Sequence, residues 1–87
     1  MSDVLALTLD LMARKSVTPD DAGCMELISD RLAKSGCHIQ RMDFGEVQNL
    51  YISHGKISPT LLFLGHTDVV PAGDPVDWTS APFVPEI

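Results

Sequence analysis

Thr60-Leu61-Leu62-Phe63-Leu64-Gly65-His66-Thr67-Asp68 is the stretch that decides how this chain reads. Leu61 to Leu64 are apolar without alternation, which fits a strand buried on both faces at the centre of an α/β sheet. In open α/β sheets ligands bind beyond the carboxyl ends of the strands, so His66 is expected to emerge where a site forms. In extended backbone His66 and Asp68 fall on the same side, with Thr67 on the other. A neutral imidazole is the commonest metal ligand. A carboxylate two residues on can accept a hydrogen bond from its second nitrogen and set its tautomer. The bland reading of the same residues is a turn histidine beside a solvated aspartate, and a pattern this short arises often by chance.

Upstream of that stretch the period is helical. Val4, Leu5, Leu7, Leu9, Leu11 and Met12 form an apolar arc opposite Asp3 and Asp10, predicting a helix over about Asp3 to Arg14. A second helix is predicted from Thr18, with Thr18 as cap, Pro19 in the first turn, and Asp20 and Asp21 at the positive end of the dipole. Met25, Ile28 and Leu32 are its core stripe, and Gly36 can take the left-handed conformation that ends it. Gly23 falls inside this predicted helix, where it costs about 1 kcal/mol relative to Ala. Cys37 to Met42 and Val47 to Ser53 read as an outer pair of strands about a turn at Asp43-Phe44-Gly45.

Downstream, Val70 to Ile87 contains Pro71, Gly73, Pro75, Pro82 and Pro85 and reads as a long loop, with Trp78 and Phe83 as its large apolar anchors. His38 and His54 sit in or beside turns on the outer strands and read as surface residues. No phosphate-binding glycine loop, serine elbow or cysteine-histidine nucleophile pair is present in the sequence.

Composition bounds the rest. The 87 residues allow one small domain at most, and 45% hydrophobic residues fit a globular chain. A net charge of −6 with no basic patch argues against nucleic acid or an anionic membrane as partner. No apolar run approaches the roughly 18 residues needed to cross a bilayer, and the start lacks the basic region of a signal peptide. Cys24 and Cys37 are too few for a disulfide framework and read as reduced and buried. A cytoplasmic location is expected.

Gly65-His66-Thr67-Asp68-Val69-Val70-Pro71, with Trp78 and Pro82-Phe83-Val84-Pro85 after it, resembles the first metal motif of the zinc-dependent aminoacylase and carboxypeptidase family. Ser16-Val17-Thr18-Pro19-Asp20-Asp21-Ala22-Gly23-Cys24 and Arg41-Met42-Asp43-Phe44 extend the likeness over nearly the whole chain. The Asp-Ala-Gly-Cys segment favours the members that remove a succinyl group. The resemblance implies a zinc-peptidase-like three-layer α/β/α catalytic domain, of which residues 1–87 would be the amino-terminal part: two helices, then three strands and a long loop. It implies two zinc ions per subunit, with cobalt as a substitute, and makes His66 a metal ligand and Asp68 the catalytic carboxylate that orients it. It implies hydrolysis of a small succinylated substrate, N-succinyl-LL-2,6-diaminopimelate, to succinate and diaminopimelate on the route to lysine, by a homodimer.

The family's bridging aspartate, its paired glutamates, a further carboxylate and a last histidine have no counterpart within these residues. A Gly-Arg-Gly-x-x-Asp segment is expected just past Ile87. A catalytic zinc needs about three protein ligands and an open position, so the chain alone is expected to be inactive. An apolar strand edge without its neighbour is expected to make it associate. Two rivals stand beside this reading. One is another enzyme of the same family, such as one that deacetylates acetylornithine; the other is a non-catalytic module.

Overall fold

The computed structural model describes residues 2–87. Helix α1 spans Asp3–Met12, covering the whole apolar arc and ending two residues before the predicted Arg14. Ser2 begins it, its hydroxyl accepting the Leu5 N–H at 3.1 Å. No residue of α1 is fully buried, and Val4 and Met12 on its apolar arc are exposed. Helix α2 spans Cys24–Ala33 and packs against the strand that follows it.

The start of α2 corrects the prediction. The helix begins at Cys24, and Thr18 does not cap it. Val17 is instead drawn into a parallel bridge with Val69. Ala22 at φ 52° and Gly23 at φ 83° then turn the backbone left-handed, which no helix can accommodate. Gly23 therefore sits at the helix entrance, not inside it. A side chain there would also collide with Arg14, whose Nη1 lies 2.6 Å from the place a Cβ would take. Asp21 does the capping, its carboxylate oxygens accepting the Met25 N–H at 3.0 and 3.3 Å. At the other end the expected glycine stop is present. Gly36 has φ 85°, and the Cys37 N–H reaches back to Leu32 O at 3.1 Å.

Strands β1 (His38–Arg41) and β2 (Leu50–Ser53) form a two-stranded antiparallel sheet. Its register pairs His38 with Ser53, Ile39 with Ile52, Gln40 with Tyr51 and Arg41 with Leu50. Beyond it Phe44 and Val47 exchange backbone hydrogen bonds at 2.8 and 3.0 Å around Gly45. Together the elements make an α/β unit.

The predicted central strand is absent. Residues 60–65 belong to no strand, and Leu61 to Leu64 are exposed, Leu64 at 95%. A strand exists only where a neighbour takes its backbone N–H and C=O groups, and among the described residues β1 and β2 pair only with each other. The apolar run reports what the segment prefers as surroundings, and those surroundings are not supplied by these residues. The tail is a loop, as expected, broken by a short 3₁₀ turn at Pro75–Asp77. Trp78 Nε1 donates to Ala72 O at 3.0 Å and folds the loop back on itself.

The core among the described residues is small. Cys24, 1% exposed, is the buried hydrophobic residue, and Ser16, 3% exposed, the buried polar one. Both lie where the connector after α1 and the start of α2 meet residues 67–69. Both cysteines are free; Cys37 is only half-buried, against the expectation that it would be covered.

Candidate metal centre

The site is built where the connector after α1 grips the segment after Gly65. Ser16 Oγ donates to Thr67 O at 2.8 Å. The Val69 N–H donates to Ser16 O at 2.9 Å, and the Thr18 N–H donates to Val69 O at 3.0 Å. These bonds form the short parallel bridge Val17–Val69 and hold residues 67–69 in a fixed extended shape although the preceding run is unpaired.

On that platform the expected pair comes together. His66 Nδ1 lies 3.0 Å from Asp68 Oδ1 and 3.0 Å from the Asp68 carbonyl oxygen. Both partners are acceptors when the carboxylate is ionised, so a neutral imidazole here carries its proton on Nδ1. That leaves Nε2 with a free lone pair, on a side chain that is 81% exposed. Asp68 is held below the usual carboxylate range, first by the Thr18 hydroxyl and then by His66. The Thr18 hydroxyl donates to Asp68 Oδ2 at 2.6 Å. This contact was not foreseen, because the threonine before a proline had an adequate explanation as a helix cap.

A cleft of about 500 Å³ opens beside the pair, lined by His66, Asp68 and Leu64 together with Asp21 before α2 and Met25 and Ile28 within it. Asp20 is occupied locally, accepting the Ala22 N–H at 3.0 Å. His38 and His54 are exposed, as expected, and neither lines the cleft.

Among the described residues no group of three or more His, Cys, Asp or Glu side chains could hold a metal ion. A zinc ion needs about three protein ligands. His66 and Asp68 thus fit the part of one ligand with its orienting carboxylate, and by themselves do not make a zinc site.

No family model matches the chain. Individual relatives do, along its whole length. A protein of Methylococcus capsulatus named succinyl-diaminopimelate desuccinylase is 52% identical over 87 residues, 100% of this chain and 23% of that protein. Over its whole length this chain is similar to proteins named succinyl-diaminopimelate desuccinylase. The desuccinylase of Xanthomonas campestris pv. campestris is 55% identical over 86 residues, 99% of the chain, and that of Xanthomonas oryzae pv. oryzae is 54% identical over 87 residues. The chain spans about a quarter of the length of these desuccinylases, 23%, and the likeness falls in their amino-terminal part. Among the described residues no helix is long and apolar enough to cross a membrane.

Proposed function

We propose that this chain supplies one metal ligand, His66, and its orienting carboxylate, Asp68, to a zinc-dependent amide hydrolase that acts on N-succinyl-LL-2,6-diaminopimelate. The observation that carries the reading is the ordered imidazole. A neutral ring whose Nδ1–H is bound by Asp68, with Nε2 exposed, has the arrangement of a metal histidine with its outer partner. The names of the desuccinylase relatives supply the substrate.

In this reading residues 1–87 are the amino-terminal part of a metal-binding catalytic domain of the three-layer α/β/α kind, with residues 60–65 paired between neighbouring strands. Zinc bound there, through His66 and ligands from other residues of the enzyme, would supply Lewis acidity for hydrolysis of the succinyl amide. Asp68 keeps the ring in the tautomer that can bind. The remaining ligands and the general base belong to other residues of the enzyme, so the 87-residue chain has no hydrolytic activity alone. The enzyme works as a cytoplasmic homodimer, and cobalt can replace zinc.

The test is a chimera in which this chain replaces the corresponding 87 residues of the Methylococcus capsulatus desuccinylase. Hydrolysis of the succinylated substrate, lost on chelation and restored by zinc, is the expected result. Turnover that survives thorough chelation, or a preference for acetylornithine, rejects the reading.

A further inference from the structure

We infer that Thr18 is a positioning residue for His66, acting through the carboxylate of Asp68; the inference rests on the reading of His66 as a metal ligand. A threonine hydroxyl has one proton to give. Its two nearest acceptors are Asp68 Oδ2 at 2.6 Å and Val69 O at 3.3 Å, so the carboxylate takes it. That bond occupies one carboxylate oxygen and leaves the other, Oδ1, facing His66 Nδ1 at 3.0 Å.

The geometry matters because the terminal torsion of an aspartate is broad and roughly two-fold. A half-exposed carboxylate with a single partner can swing about it. With Thr18 on one oxygen and His66 on the other, its plane is fixed from two sides. The hydroxyl is itself anchored, since the Thr18 N–H donates to Val69 O, on the residue next to the carboxylate it orients. Donor and acceptor therefore sit on one clamped piece of backbone, although they are 50 residues apart in sequence.

Ser16 provides an internal control. Its hydroxyl fastens the same clamp, through Thr67 O, without touching the carboxylate. If Thr18 only held the clamp together, removing either hydroxyl would have the same consequence for His66.

The experiment has two readouts. In the 87-residue chain labelled with ¹⁵N-histidine, the ring nitrogen shifts report the tautomer of His66. The parent and Thr18→Ser are expected to hold the proton on Nδ1. Thr18→Val, which keeps the shape and removes the donor, is expected to move His66 toward the Nε2–H form that free imidazole side chains prefer. Ser16→Ala is expected to leave the tautomer unchanged, and slow exchange of the Val69 N–H in Thr18→Val shows that the clamp survives. In the chimera, Thr18→Val is expected to lower zinc affinity about 10-fold, the low end for loss of an outer partner of a metal histidine, while Thr18→Ser keeps it. A parent-like tautomer and zinc affinity in Thr18→Val, or an equal tautomer shift in Ser16→Ala, overturns the inference. A chimera without zinc-dependent hydrolysis rejects the metal reading instead, and the tautomer then decides whether Thr18 positions the ring.

Discussion

His66 and Asp68 are joined at 3.0 Å by a ring nitrogen and a carboxylate oxygen, and the backbone that carries them is fixed by residues 16–18 and not by the apolar run before it. The orientation of the imidazole thus depends on Asp68 directly. Asp68→Ala in the chimera is expected to weaken zinc binding by about 10–100-fold, the usual consequence of removing the outer partner of a metal histidine. Competition against a fluorescent chelator measures it. An affinity equal to that of the parent would mean that Asp68 has no orienting role.

Ser16 is buried and donates to Thr67 O at 2.8 Å. Ser16→Ala removes a hydrogen bond worth about 1 kcal/mol net and leaves the carbonyl unpaired in a partly covered position. Urea unfolding of the chain should show a lower midpoint with an unchanged slope. An unchanged midpoint would place the strength of the clamp in its backbone bonds alone.

At Gly23 the requirement is conformational. With φ at 83° and Arg14 Nη1 only 2.6 Å from an added Cβ, Gly23→Ala must strain the backbone and also push the guanidinium aside. The left-handed conformation alone costs a residue with a Cβ about 1–2 kcal/mol. Thermal unfolding at a lower temperature is expected, and an unshifted transition would show that the entrance of α2 can adopt another geometry.

Leu61 to Leu64 form an exposed apolar run that belongs to no strand, and its unpaired backbone invites pairing with a second copy. Sedimentation of the 87-residue chain should show concentration-dependent self-association, relieved by the double substitution Leu62→Lys with Leu64→Lys. A parent chain that stays monomeric across the concentration range contradicts this.

Much of the local structure was legible because it depends on local chemistry. The helical period of residues 3–12, the Gly36 stop and the turn between the outer strands, expected at Asp43-Phe44-Gly45 and found at Gly45-Glu46, are each set by residues within a few positions of one another. His66 and Asp68 were legible for the same reason, being two residues apart on extended backbone. Thr18 was not, because its partner lies 50 residues away and a Thr-Pro-Asp-Asp string already satisfies the rules for starting a helix. The left-handed pair Ala22 and Gly23 gave a faint signal, since a glycine in a predicted helix interior had no other purpose. The run Thr60 to Gly65 misled differently. Its composition states that it belongs in a sheet interior, but composition does not say which residues provide that interior.

The most direct test of the central claim is the zinc content of the chimera before and after His66→Ala, measured by elemental analysis after gel filtration from limiting zinc. Loss of bound zinc together with loss of succinyl amide hydrolysis, in a variant that still unfolds cooperatively, is the predicted result. Zinc content and turnover both equal to those of the parent would show that the imidazole of His66 holds no metal.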